Sequence, residues 1–143
     1  MIAIETRRLF LGIIFILTLI ISSCKSASPL PEGTLSNSTV EGEPELVLMA
    51  GHYQSITTSG NQTIVEEEGS YAVKGNQITF SMEKGSDILL IACGSTTVPY
   101  TYKWSYDQQT RMVKFINVND PCDTRQSRRE SGSWVLKVAV AIP

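Results

Sequence analysis

Residues 69–82 read GSYAVKGNQITFSM. Tyr71 and Val73 alternate with small or polar residues on one side of Gly75-Asn76, and Ile78, Phe80 and Met82 do the same on the other. A period of two places each apolar set on one face of a strand, and a Gly-Asn pair between two such runs reads as a tight hairpin turn. Antiparallel β-structure is therefore the starting point for the whole chain.

The same pattern continues on both sides. PYTYKWSYD, Pro99 to Asp107, sets Tyr100, Tyr102, Trp104 and Tyr106 two residues apart, so four rings share one face of a strand. In RMVKFINV, Val113 and Phe115 take one face and Met112, Ile116 and Val118 the other. WVLKVAVAI carries Trp134, Leu136, Val138, Val140 and Ile142 on a common face. ELVLMAGHYQSITT opens the series, and SGNQ, KGSD and DQQT supply turn chemistry between runs. ILLIAC reads as a short buried run, and NDPCDTRQSRRESGS reads as a loop, broken at Asp120-Pro121 and polar thereafter. With no convincing 3.6-residue period after the N-terminal segment, about eight short strands at turn-delimited spacing predict an all-β fold, a small antiparallel up-and-down barrel over residues 46–143. An eight-stranded barrel has an interior that side chains fill or that holds one small ligand.

The N-terminus carries a different signal. MIAIETRR ends in the basic pair Arg7 and Arg8, Leu9 to Ile21 is uncharged and apolar, and SSC follows. A basic n-region, a short apolar h-region and small residues describe a secretory signal over residues 1–23, and the run is marginal as a permanent span. ISSC, Ile21 to Cys24, resembles the lipobox of bacterial lipoproteins. That resemblance implies a diacylglyceryl group on Cys24, cleavage before it by signal peptidase II, and a lipid anchor in the cell envelope. Lys25 in place of an inner-membrane retention aspartate points to the outer membrane. Residues 24–45 are rich in Ser, Pro, Gly, Thr and Glu and read as a flexible tether.

Without residues 1–23 the chain keeps ten Lys and Arg against thirteen Asp and Glu, which argues against a nucleic-acid partner. RQSRRE, Arg125 to Glu130, is the one basic cluster and reads as a solvated loop. Cys93 and Cys122 remain beside Cys24, and an oxidising compartment favours a disulfide between them. Free thiols and a metal site are the other readings, and the chain offers a metal only one histidine and no CxxC.

Taken together these motifs resemble bacterial lipocalin-like, calycin-type domains. The hairpin from Gly69 to Phe80, Cys93, the Tyr102-Lys103-Trp104 strand and the Asp120-Pro121-Cys122-Asp123-Thr124-Arg125 loop occur in the order and spacing of that group over about residues 46–136. The resemblance implies an up-and-down barrel and a cup for a small apolar molecule. It also implies an arginine stacked on an aromatic ring, here Arg125 on Tyr53 or Trp104, with an exposed loop arginine as the competing expectation. Tyrosine stands at Tyr53 where lipocalins open with Gly-x-Trp, and their C-terminal helix has no counterpart.

Catalytic chemistry finds little support. His52 beside Gly51 reads as a rim residue, and no GxSxG or HExxH motif is present. Glu66-Glu67-Glu68 reads as a charged strand end that discourages edge pairing. No enzyme, cofactor or metal is expected. The leading functional expectation is an apolar or amphipathic ligand held by a wall of Tyr100, Tyr102, Trp104, Phe80 and Phe115. The alternative is a filled barrel that binds an envelope protein through the ACGSTTVP and DPCDTRQSRRES loops. If buried, the tyrosine hydroxyls need partners, so Tyr106 or Tyr100 is expected at a wet rim.

Overall fold

The computed structural model describes residues 29–94 and 98–137. The signal segment, Cys24 and residues 138–143 lie outside them. Eight strands run in chain order: β1 (Gly33–Ser36), β2 (Glu45–Met49), β3 (His52–Ser59), β4 (Gln62–Lys74), β5 (Gln77–Gly85), β6 (Tyr100–Asp107), β7 (Met112–Asn119) and β8 (Trp134–Leu136). Each pairs antiparallel with the next, and β8 returns to β1 to close an up-and-down barrel. The expected fold class is therefore the observed one. The hairpin read at Gly75-Asn76 forms with Lys74 opposite Gln77 and Gly75 at φ 60°.

Because every connection joins neighbours, the two ends of the barrel differ. Turns 50–51, 75–76 and 108–111, together with the incoming segment 29–32, lie at one end, here the tight-turn end. Connections 37–44, 60–61 and 120–133, with the described parts 86–94 and 98–99 of the β5–β6 connection, lie at the other, the helix end. It carries α1 (Asp87–Cys93) and α2 (Asp123–Glu130).

Three readings of the sequence are corrected here. First, the stretch assigned to the tether contributes β1: Thr34 and Leu35 pair with Val47 and Leu46, and Leu35 is fully buried. The barrel thus begins at Gly33 rather than at residue 46. A four-residue strand with one inward leucine carries too little apolar signal to stand out. Second, ILLIAC is a helix. Ser86 caps it, its hydroxyl accepting from Leu89 N–H at 3.2 Å, and Gly94 at φ 71° ends it. Leu89 and Cys93, four residues apart, face the protein, while Ile88 and Ile91 face solvent. Third, the presumed loop after Asp120-Pro121 is α2, whose inward face is made of Arg125 and Arg129. Arginines at i and i+4 leave no hydrophobic period to read.

The core is a continuous run of rings. Tyr53 meets Phe80 edge-on at 4.8 Å, Phe80 stacks on Tyr100 at 5.4 Å, and Tyr100, Tyr102, Phe115 and Trp134 follow in T-shaped contacts of 6.1–6.3 Å. Such pairs add about 0.5–1.5 kcal/mol each beyond the area they bury. Leu35, Leu46, Leu48, Ile78 and Val113 fill the remaining wall. Outward, Ile116 and Val118 are exposed as the alternation on β7 requires.

Candidate functional site

The helix end is closed from inside by charge. A β-bulge on β4 starts it: Ser55 faces Glu67 and Ile56 faces Val65, so Glu66 is the extra residue. The bulge breaks the alternation assumed for Glu66-Glu67-Glu68. Glu68 stays outside, bound to Lys84 and Gln54, and is held below the usual carboxylate range by Lys84 first and Gln54 next. Glu66 and Glu67 are both buried. The expectation of a solvated strand end is thus overturned for two of the three.

Those two carboxylates hold both helices. Glu66 accepts from the Ser86 hydroxyl at the start of α1 at 3.0 Å and lies 3.5 Å from Arg128 of α2. Glu67 accepts from Arg129 Nη2 at 2.7 Å and from the Tyr100 hydroxyl at 2.9 Å, with Arg125 Nη1 at 3.6 Å. Arg125 in turn forms a two-pronged pair with Asp120, Nε at 2.8 Å and Nη2 at 2.7 Å. Asp120 also accepts from the Tyr102 hydroxyl and from Cys122 N–H. The Tyr53 and Tyr100 hydroxyls share a hydrogen bond of 2.9 Å. Glu67 and Asp120 balance Arg125 and Arg129, which is the condition for burying ions without a large penalty.

RQSRRE is therefore not a solvated loop: Arg125 and Arg129 are 8% and 3% exposed. Arg125 does stack on an aromatic ring, but that ring is Tyr100, 3.6 Å below the guanidinium, rather than Tyr53 or Trp104. Arg129 lies 4.7 Å from the Phe80 ring. Among the described residues its Nη1 meets no acceptor, nor does Trp104 Nε1.

The electrostatics follow from burial. The Tyr53 and Tyr100 hydroxyls are pushed well up, first by desolvation and then by the Glu67 charge. Tyr102 is pushed up by desolvation, against Arg129 and with Asp120. Burial would raise the Asp120 carboxyl, but hydrogen bonds from Arg125, Tyr102 and Cys122 N–H outweigh it and hold it below the usual value. Every oxygen of Glu67 and Asp120 is already engaged, so the arrangement locks α2 onto the barrel.

The expected ligand wall comes together, but as packing. Phe80, Tyr100, Tyr102 and Phe115 touch one another or their neighbours, all at 4% exposure or less. Beneath the helices, a void of about 20 Å³ lined by Ser55, Glu67, Arg129 and Trp134 has room for about one water. The wet rim falls at Tyr106, which is half-buried, whereas Tyr100 is fully buried. Trp104, the fifth member of the wall, differs in reaching an open depression of about 500 Å³ at the tight-turn end. Leu30, Tyr71 and Val73 line it too.

Cys93 and Cys122 form the disulfide, with Cα atoms 5.0 Å apart, and so tie the end of α1 to the start of α2. On α1 this leaves Ile88 at 71% and Ile91 at 87% exposure, and Val98 beyond it at 57%. His52 is exposed beside the 50–51 turn. Among the described residues no cluster of His, Cys, Asp and Glu is disposed to hold a metal ion. Sequence reasoning missed Glu66, Glu67, Asp120 and Arg129 as one network. The available signal was a run of acids and a run of bases in a chain with few of either.

No protein-family model matches the chain, and comparison with curated proteins and with solved structures returns no match.

Proposed function

We propose that the chain is a lipid-anchored lipoprotein of the bacterial outer membrane whose lipocalin-like barrel is a protein-binding scaffold rather than a carrier. The lipid anchor rests on the Ile21–Cys24 lipobox and the basic and apolar stretches before it. The binding role rests on one observation: a disulfide-stapled helix holds Ile88 and Ile91 out in solvent above a barrel interior filled by rings and ion pairs. Branched apolar side chains on a rigid support lose little entropy on docking, and exposed apolar patches mark contact surfaces.

A photo-crosslinking residue at position 91 of the full chain, expressed in its own envelope, tests this. A discrete protein adduct that falls at least fivefold in an Ile88→Ser/Ile91→Ser background, with an unchanged melting temperature, is the expected result. Substitutions at such exposed positions ordinarily move stability by less than about 0.5 kcal/mol. No adduct, or one indifferent to the double substitution, sinks the reading.

The depression beside Trp104 favours a second reading, an amphipathic small molecule bound at the rim rather than inside a cup. Solvent extraction of the purified chain followed by mass spectrometry would find that molecule at near-stoichiometric amount, and would lose it in Val73→Lys.

A further inference from the structure

The tight-turn end is also where the chain enters the barrel from its N-terminal side. Pro29 and Leu30 line the depression, and Leu30 packs against the core. Glu32 is held in place by Ala50 N–H at 3.2 Å and by the Tyr71 hydroxyl at 2.9 Å. Cys24 precedes Pro29 by five positions. A fully extended chain covers at most about 3.6 Å per residue, so no more than about 18 Å of backbone separates the two. The long tether read from the sequence is in fact a short leash.

The far end of the barrel is out of reach of that leash. β4 has 13 residues. At about 3.3 Å per residue and a tilt near 40°, such a strand spans roughly 33 Å along the barrel axis. The two ends also differ chemically. At the tight-turn end Lys74, Lys103 and Arg111 outnumber Glu32 and Asp107, and Tyr71, Trp104, the half-exposed Val73 and the exposed Met49 stand with them. At the helix end, Glu41, Glu43, Asp87 and Asp123 are exposed. Cations near anionic headgroups each contribute about 1 kcal/mol, and Tyr and Trp favour the membrane–water boundary.

Building on the lipid-anchor reading, we infer that the tight-turn end rests on the membrane, with the bilayer interface occupying the depression lined by Leu30, Tyr71, Val73 and Trp104. The barrel stands upright on its leash, and α1 and α2 point away from the anchoring leaflet. This assigns the depression to lipid, and the helix end to whatever approaches from the aqueous side.

The test uses the full chain, purified with its native modification and reconstituted in vesicles of phosphatidylethanolamine and phosphatidylglycerol at 3:1. With Cys24 acylated and Cys93 bonded to Cys122, an added cysteine is the sole labelling site. Fluorophores are placed singly through Asn76→Cys at the tight-turn end, Lys114→Cys on the side and Ser127→Cys at the helix end. Lipids with headgroup nitroxides quench them. The expected result is quenching at position 76 at least threefold stronger than at 114 or 127. In a Val73→Glu/Lys74→Glu background that excess should fall at least twofold while the chain still floats with the vesicles. Flotation with equal quenching at 76 and 127, strongest quenching at 114, or an excess unmoved by the double substitution overturns the inference alone. So does a stoichiometric small molecule in the depression with position 76 unquenched. Failure to float, with no diacylglyceryl mass on the chain, overturns the lipid-anchor reading and this inference with it.

Discussion

Arg129 of α2 reaches Glu67 of β4 at 2.7 Å inside the barrel, across 62 residues of chain. Both side chains are almost wholly buried. Their pairing is the reason a helix with a charged inward face can close an apolar barrel. An ion left alone in such a place costs several kcal/mol, whereas a matched pair, or a matched apolar replacement, costs far less.

A double-mutant cycle should therefore be strongly non-additive. Arg129→Leu or Glu67→Leu alone is expected to destabilise the oxidised domain by about 3–5 kcal/mol, since each leaves a buried charge without its partner. The two together should cost clearly less than their sum, with a coupling of at least about 1.5 kcal/mol. Urea unfolding of the four proteins measures it, and additive losses would mean the pair holds nothing.

The tyrosines predict an alkaline limit. Their hydroxyl pKa values are raised in the folded state, so the stability they confer is complete below the unfolded value near 10 and is lost as pH rises toward the folded values. Each costs roughly 1.4 kcal/mol per pH unit in that window. Absorbance at 295 nm should show Tyr53, Tyr100 and Tyr102 ionising together with unfolding, not before it. Asp120 has the opposite sign. Its folded value is depressed, so its contribution is present above about pH 4 and disappears as pH falls through the folded value. The acid dependence should flatten in Asp120→Asn.

Reduction of Cys93–Cys122 should cost about 3–4 kcal/mol on the chain-entropy account, for partners 29 residues apart. Amide exchange should then rise in α1 first. Its only buried side chain is Leu89, and with Cys93 released the Ser86–Glu66 hydrogen bonds hold its start. Exchange in α2 should change less, because Glu67 and Asp120 still hold it.

Gly69 offers a steric prediction. A Cβ there would lie 2.1 Å from the Ser81 carbonyl oxygen, on a strand paired through a second irregularity. Gly69→Ala should lower stability by several kcal/mol, of the order found for overpacked cores. Gly60→Ala, which meets nothing within 4 Å, should cost only the left-handed backbone penalty of about 1 kcal/mol. Thermal melts of the two variants separate the effects.

The barrel was legible because period-two alternation survives wherever strands are long: Ile78 and Phe80, Tyr100 to Trp104, and Val113 with Phe115 all face inward as read. Legibility ended where that rule is suspended. The bulge at Glu66 shifts the register by one residue and turns a carboxylate into the core, which no composition rule anticipates. α2 is amphipathic with arginine on its inner side, so any scale that scores charge as solvent-facing reads it inside out. α1 turns Leu89 and the half-buried Cys93 inward four residues apart, yet the exposed Ile88, Leu90 and Ile91 hide that period. Arg125 was singled out, but its partners Asp120 and Tyr100 needed the fold to bring them together.

One consequence of the barrel's closure concerns the order in which the molecule is made and undone. Hairpins such as β4–β5 join residues that are close in the chain, whereas among the described residues β1 meets β8 at Leu35–Leu136, Ser36–Val135 and the Lys137 N–H to Thr34 carbonyl hydrogen bond. Bringing together segments about a hundred residues apart carries the largest loop-closure entropy in the fold, so this seam should form last. Native-state amide exchange would register it as weaker protection at Lys137, whose N–H donates to the Thr34 carbonyl of β1, than at Tyr102. β1, the first strand of the barrel, is thus the stave most easily lifted. A tug on the N-terminus would peel the barrel open at its seam while the helix end, cross-linked and ion-paired, stayed shut.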